Sequence, residues 1–346
     1  MRAGQVNGPG QFDVVEVADP APDEGQILVR MRSASICGSD LHRVFAEDGL
    51  DAYPLPPGRP GHEGVGVVVC SRSAKHSVGE AVLTVPVAGA GAAYAELQVV
   101  GEDFAITLPP ETDLDRALMA QQLGTVVFGW HRYWPKERPA AGLRAGVIGA
   151  GSAGLFALQL ARLAGFEEVV ISDLEPSRLA VAEKLGAART VLAPGESFVE
   201  AAKEQTDGKG LDLVIDATGF DACRADCVEA VRYHGRIGFF GLPEQPGLAP
   251  FPIAKAFRKG CTIEMAGTAQ LEPGLKAFRE ALDLIANGKV DVDAMIEQRY
   301  PLERFPEAMA AARAHVAPKV NVDITPRQGP PAVSTTDGFA NSGKSR

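Results

Sequence analysis

Three short stretches of the chain hold residues whose types suit chemistry. Cys37-Gly38-Ser39-Asp40-Leu41-His42 offers a thiol, a hydroxyl and an imidazole in one segment, and Gly61-His62-Glu63-Gly64 adds a second imidazole and a carboxylate about one strand later. Thiolate, imidazole and carboxylate are the ligand types zinc accepts, and a catalytic zinc needs three protein ligands with one position left open. Such an ion lowers the pKa of a hydroxyl group, the first requirement for expelling a hydride from the carbon that bears it. Taken singly, each piece has an ordinary reading: cysteine is often a buried apolar residue, and His62-Glu63 reads equally as a surface pair.

The third stretch is Gly149-Ala150-Gly151-Ser152-Ala153-Gly154, a G-x-G-x-x-G pattern directly after the apolar run 145–148 and directly before a helical run. In that context the first glycine permits a tight turn, the second lets backbone approach a pyrophosphate, and the third lets the helix pack close to the sheet. The first amides of the helix then face the phosphates. Asp173 ends the next strand-like run at roughly the 20-residue separation where a carboxylate accepts hydrogen bonds from the adenosine ribose. That favours NAD over NADP, because a 2′-phosphate would meet a negative charge. Arg178, five positions on, also reaches the adenosine side. A glycine turn in an α/β protein without nucleotide is the bland alternative, and a protein that only senses NAD passes the same test.

These residues need elements to hold them. Runs 12–17, 27–35, 64–69, 81–85 and 94–100 read as short strands between Pro, Gly and Asp clusters, an all-β, barrel-like region. From about Leu114 a helical stretch leads to the glycine motif. Beyond it, strand-like runs (169–172, 211–218, 236–241) alternate with amphipathic helical ones (177–187, 223–235), which means βαβ units and a parallel sheet. After residue 267 a helical run over 274–288 and Pro-bounded pieces ending at 319–324 are expected to return to the first domain. Residues 326–346 are rich in Pro, Gly, Ser and Thr with little to bury, and are expected to be disordered. The aromatic cluster Trp130, Tyr133 and Trp134 reads as packing rather than a substrate cleft. Cys223 and Cys227 are explained by one helix face.

C-G-S-D-x-H, then G-H-E-G-x-G, then V-I-G-A-G-S-A-G with S-D-L-x-x-x-R resembles the medium-chain dehydrogenase/reductase superfamily. Over residues 10–325 the likeness is to the zinc-dependent polyol, sugar and threonine dehydrogenase branch. The resemblance implies an α/β chain with a GroES-like β-barrel catalytic domain from 1–125 and 268–325, and a doubly wound Rossmann domain from 126–267. It implies Cys37 and His62 as zinc ligands, with Glu63 a ligand or a partner of one. It also implies Ser39 taking the substrate proton and His42 passing it to solvent through the nicotinamide ribose. Thr125 matches a residue against the nicotinamide ring, Lys319 a pyrophosphate-binding base, and Ser152, Ala153 and Thr218 fall among the expected cofactor contacts. Two departures stand out. The four-cysteine lobe of many relatives is missing between Gly79 and Tyr94, so one catalytic zinc and no structural zinc are expected. The third ligand position falls on Gln121, whose neutral amide is a weaker zinc donor than a carboxylate and shifts weight to Glu63.

Composition bounds the rest. The chain has 346 residues, enough for about two domains, with 46% hydrophobic and 23% charged residues, ordinary globular usage. A net charge of −10 argues against a phosphate-neutralising surface, so no nucleic-acid partner is expected. Neither an export signal nor a membrane span is read, and five scattered cysteines suit a reducing compartment, so a cytoplasmic setting is expected. The expected partners are a small alcohol or ketone and further copies of the chain, as a homodimer or homotetramer. Two rival functions stay open: a zinc-independent medium-chain reductase of quinones or activated double bonds, supported by Gln121, and a non-catalytic NAD-binding protein.

Overall fold

The computed structural model describes residues 1–45, 52–87, 90–244 and 247–325. The chain opens with a hairpin of β1 (Arg2–Gly8) and β2 (Gln11–Glu16). Its turn, Gly8-Pro9-Gly10, puts a proline before a glycine at φ +69°, a conformation that glycine adopts without steric cost. The long β3 (Gln26–Ser35) follows, then α1 (Gly38–Phe45), β4 (Glu63–Ser71), β5 (Ala81–Thr84), β6 (Leu97–Gly101) and β7 (Ala105–Thr107). β3 is the hub of the first sheet, pairing antiparallel with both β4 and β6, while β5 and β7 continue from β4. Residues 94–96, read from sequence as strand, lie outside β6 and keep a single bridge from Ala95 to Ala3.

α2 (Leu114–Tyr133) starts where the Asp113 carboxylate accepts the amides of Asp115 and Arg116, satisfying donors that a helix start leaves open. It is buried on nearly every side because it touches β3, β4 and β5 of the first sheet on one side and two strands of a second sheet, 231–239 and 262–265, on the other. The boundary expected at residue 125 falls inside this helix. Trp130, Tyr133 and Trp134 are all buried, and both tryptophans pack edge-on against Phe166, so they serve as core.

The second sheet is built from β8 (Arg144–Ile148), α3 (Ser152–Leu163), β9 (Glu168–Asp173), α4 (Pro176–Lys184), β10 (Arg189–Leu192), α5 (Phe198–Gln205), β11 (Leu211–Asp216), α6 (Asp221–Ala230), β12 (Val231–Phe239), α7 (Ile253–Lys259) and β13 (Thr262–Met265). Its strands are all parallel in the order β10-β9-β8-β11-β12-β13, the doubly wound order whose direction reverses beside β8. The ligand crevice of such a sheet lies at that reversal, outside the carboxyl ends of β8 and β11. One expectation needs correcting here: the helical run read over 223–235 ends at Ala230, and Val231 begins β12 with no intervening loop.

The chain then returns. α8 (Lys276–Ala286) packs against α2, with Phe278 filling the notch at Gly124, where an added Cβ would lie 2.3 Å from the ring. α9 (Asp293–Ile296), β14 (Arg299–Pro301), α10 (Phe305–Arg313) and β15 (Asn321–Asp323) follow, and β15 joins the first sheet antiparallel to β3. Phe305 of α10 stacks on Tyr94 at 5.1 Å and closes the first lobe's core around Val29, Met31 and Met309. The tail expected to be disordered, 326–346, lies outside the described residues.

Candidate active site

Ladder register brings the first two chemical stretches together. Ser35, the last residue of β3, stands directly opposite Glu63, the first residue of β4. Cys37 lies two positions beyond Ser35 and His62 one before Glu63, so the turn into α1 and the entry to β4 meet at one end of the sheet. One ligand atom from each of Cys37, His62 and Glu63 lies within 4.8 Å of the others, and His62 and Glu63 are buried.

Asp40 organises this cluster, a role its place in the sequence motif did not disclose. From the first turn of α1 its Oδ2 accepts the Cys37 amide at 3.1 Å and the Tyr94 hydroxyl at 2.5 Å, while Oδ1 lies 2.9 Å from Nδ1 of His62. With Nδ1 engaged, His62 keeps Nε2 for a ligand, the usual way an outer carboxylate orients a metal-binding imidazole. Burial alone would lower the imidazole's pKa, but the Asp40 carboxylate and the Cys37 sulfur carry it well above its ordinary range. Burial, then Asp40, push the Tyr94 hydroxyl far above its usual pKa and keep it a donor.

Glu63 has two partners on one oxygen: its Oε2 accepts the Ser35 hydroxyl and lies 2.6 Å from the Lys319 ammonium. Lys319, matched in sequence to a pyrophosphate base, thus has its charge on the carboxylate of the metal-type cluster. Gln121, buried in α2, donates Nε2 to the His62 carbonyl at 3.3 Å. The donor set suits zinc: a thiol, an imidazole with one free nitrogen and a carboxylate with one uncommitted oxygen converge in a buried pocket.

Ser39 and His42 lie one turn apart on α1, both half-buried. His42 Nε2 reaches Glu244, 3.3 Å away on the loop after β12, so the relay residues lead from the cluster toward the second lobe. That loop is anchored: Arg224 donates to the Gly241 carbonyl at 3.0 Å and the Glu244 amide to Gly219 at 3.4 Å. Thr125 turns its hydroxyl back on the Gln122 carbonyl at 2.7 Å within α2.

The glycine motif forms the tight turn from β8 into α3. Gly149 sits at φ +98°, and a Cβ on Gly154 would lie 1.8 Å from the Gly149 oxygen, so only glycine lets helix and strand approach this closely. A Cβ on Gly151 would meet nothing within 4 Å: this glycine faces open space, the cradle a pyrophosphate requires. Ser152 begins α3, and its amide donates to the Pro318 carbonyl at 3.3 Å. Ala153 follows in the same first turn and Thr218 packs its methyl over Gly149, held by buried Asp216, which accepts its hydroxyl at 2.6 Å and its amide at 2.9 Å. Asp173 accepts the Ala150 amide at 2.6 Å and the Glu175 amide at 2.9 Å, which fixes the carboxylate at the end of β9. Arg178 lies 3.8 Å from it and donates to the Ala317 carbonyl at 3.3 Å.

Sequence reasoning missed Ser35, Asp40, Tyr94, Asp216 and Glu244. Only Asp40 had a local signal, an acidic side chain three positions after Cys37 at a helix start. The others act across distances no short motif records.

A doubly wound sheet with a glycine cradle, facing a buried thiol–imidazole–carboxylate cluster, defines a nucleotide-dependent enzyme with a metal-type centre. The family model described as alcohol dehydrogenase GroES-like domain matches residues 23–110, and the one described as zinc-binding dehydrogenase matches 153–287. A protein of Mycobacterium tuberculosis named a probable zinc-binding alcohol dehydrogenase is 30% identical, over 94% of this chain and 89% of that one. An L-threonine 3-dehydrogenase of Bacillus velezensis is 28% identical, over 88% and 93%. The solved alcohol dehydrogenase of Thermus sp. ATN1 is 27% identical, covers 94% of this chain and 100% of its own, and has a TM-score of 0.80. The chain belongs to the zinc-dependent medium-chain alcohol dehydrogenase family, and it is an oxidoreductase of the alcohol dehydrogenase class. Among the described residues no helix is long and apolar enough to cross a membrane.

Proposed function

We propose that this enzyme transfers a hydride between NAD and the secondary alcohol or ketone of a polyol, sugar or cyclitol, using one zinc ion per chain. The observation that carries the reading is the convergence of Cys37, His62 and Glu63 within 4.8 Å, beside a glycine cradle. Cys37 and His62 would hold the ion, with Glu63 and the Gln121 amide beside it. When bound, zinc supplies the acidification that an alcohol hydroxyl needs before its carbon can release hydride. Asp40 keeps the His62 ring turned for that task. Ser39 takes the substrate proton, and His42 passes it toward the cleft mouth and water. Gly149, Gly151, Ser152, Ala153 and Gly154 cradle the pyrophosphate, Thr125 and Thr218 line the nicotinamide side, and Asp173 receives the adenosine ribose, which favours NAD over NADP. Threonine, in the Bacillus relative's name, carries a secondary alcohol and belongs in any substrate panel beside polyols and sugars.

The test is zinc content and turnover together. About one zinc per chain is expected after reconstitution and dialysis, and Cys37→Ser should lose both the zinc and at least about a thousandfold in kcat/KM. NADH affinity should stay within about threefold, because the cradle is elsewhere. Full activity in Cys37→Ser, or a metal-free enzyme indifferent to chelators, would move the reading to a zinc-independent reductase. That second reading draws on Gln121 and on Glu63 being already paired.

We further infer a homodimer or homotetramer, supported by β13, whose outer edge ends the second sheet, by the exposed Met265 on it and by the exposed Ile253 and Phe257 on the preceding α7.

A further inference from the structure

Gln122 carries an amide whose acceptor the protein itself leaves unsatisfied. The residue is 8% exposed, and among the described residues its Oε1 has no hydrogen-bond partner. An unpaired buried acceptor costs the whole of its lost hydration, so such a group in a native structure calls for a reason. Its neighbour Gln121 is buried too but spends Nε2 on the His62 carbonyl.

The direction of the amide follows from the rest of α2. Gln122, Val126, Gly129 and Tyr133 fall at i, i+4, i+7 and i+11, one face of a helix. On that face the Tyr133 ring fills the space a Cβ on Gly238 would need, and its hydroxyl donates to the Phe239 carbonyl at 3.0 Å, at the carboxyl end of β12. A Cβ on Gly129 would lie 3.0 Å from that of Ala266, just past β13. Val126 borders a small apolar cavity with Ala217 and Phe240, just past β11 and β12. Passing back along this face from Tyr133 to Gln122 therefore leads out of the sheet and beyond its carboxyl ends, into the crevice where a doubly wound sheet binds its ligand.

The half of the ligand that arrives there follows from the cradle. With the pyrophosphate over β8 and the adenosine ribose at Asp173, at the end of β9, the nicotinamide half extends the other way, toward β11, β12 and β13. Its ring carries one exocyclic polar group, a primary carboxamide, to which a glutamine amide offers matching donors and an acceptor. We propose that Gln122 is a positioning residue for that carboxamide: Oε1 accepts its N–H and Nε2 donates to its carbonyl. Such a pair holds the ring against rotation about its bond to the ribose. This inference rests on the reading of the cofactor as a nicotinamide dinucleotide and is independent of zinc.

The experiment compares two ligands on full-length protein by isothermal titration calorimetry. One is NADH, and the other is reduced 3-acetylpyridine adenine dinucleotide, in which a methyl ketone replaces the carboxamide and its N–H donors are gone. The parent should prefer NADH, and Gln122→Met should shrink that preference about fivefold, the worth of about one hydrogen bond. Gln122→Glu, which keeps an acceptor at the same reach, should retain the preference. Gln122→Asn, shorter by one methylene, should lose it as Gln122→Met does and provides the test if Gln122→Met does not fold. A parent that binds both ligands equally overturns the proposal. So does a folded Gln122→Met or Gln122→Asn that weakens both ligands by the same factor or neither, since a packing defect alone would do the former. These outcomes defeat this inference alone, whereas a parent that binds neither dinucleotide defeats the cofactor reading and this inference with it.

Discussion

Asp40 joins three parts of the cluster through two oxygens: the Cys37 amide, the Tyr94 hydroxyl and the His62 ring. Removing the carboxylate leaves the buried Tyr94 hydroxyl and His62 ring N–H with only longer contacts, to the Ser35 carbonyl at 3.4 Å and the Pro60 carbonyl at 3.3 Å, and weakening each bond costs about 1 kcal/mol. Asp40→Asn retains one acceptor but turns an NH2 toward a donor. It is expected to weaken zinc binding by about 10–100-fold and to lower the thermal midpoint, whereas Tyr94→Phe should cost only about 1 kcal/mol of stability. Zinc competition and thermal unfolding on the two variants check this, and equal zinc affinity in Asp40→Asn and the parent would remove Asp40 from its positioning role. That Cys37, His62 and Glu63 form a cluster was legible because their chemistry lies in residue type and spacing. The role of Asp40 was not, because it depends on Tyr94, 54 residues away, being delivered to the same spot by the barrel. Lys319 was matched to a phosphate by position, and only the packing of the turn before β15 revealed its carboxylate partner.

At the scale of elements, the two later glycines of the cradle should separate packing from binding. Gly154→Ala forces a methyl to within 1.8 Å of the Gly149 oxygen, so strand and helix must part. Overpacking of this kind costs typically about 1–3 kcal/mol, and both the thermal midpoint and NADH affinity should fall. Gly151→Ala meets nothing within 4 Å, and its φ of −66° suits alanine, so the fold should keep its stability within about 1 kcal/mol. NADH affinity should nevertheless fall about tenfold, because the added methyl projects where the pyrophosphate backbone must come close. Fluorescence titration with NADH beside thermal unfolding separates the two, and a Gly151→Ala protein with unchanged affinity would argue against phosphate in that cradle. Elements bounded by glycine, proline or a change of period were readable: β3, β4, β8, β9 and β11 all fall on runs that show themselves in the sequence. β1 carries arginine, glycine, glutamine and asparagine with only two apolar residues, and β10 is four residues long, so only their neighbours make them strands. The end of α6 was hidden because helix and strand abut at Val231 with no breaking residue between them.

The whole molecule turns on α2, which packs against both sheets, and on the return of the chain to β15, which delivers Lys319 to the cleft. Contacts across that cleft differ in weight. His42 and Glu244 are each about one-third exposed, so their pair contributes at most about 1 kcal/mol and does not lock the lobes. The outer face of the second sheet presents a larger opportunity. Among the described residues β13 ends the sheet with one edge unpaired; on it Met265 is 67% exposed, and on α7, the helix that precedes it, Ile253 and Phe257 are 68% and 85% exposed. An open edge flanked by apolar side chains invites another strand, and the self-complementary answer is a second copy related by a two-fold axis. Each residue of such an interface occurs twice, so one introduced charge is buried twice and faces its own image. Met265→Asp combined with Phe257→Asp is therefore expected to reduce the mass in light scattering from a multiple of 36.4 kDa to one chain, at unchanged zinc content. A folded monomer that still binds zinc would show that the metal centre is complete within one chain. A parent protein already at one chain's mass, or a double variant that keeps the parent's mass, would place the contact elsewhere or remove it.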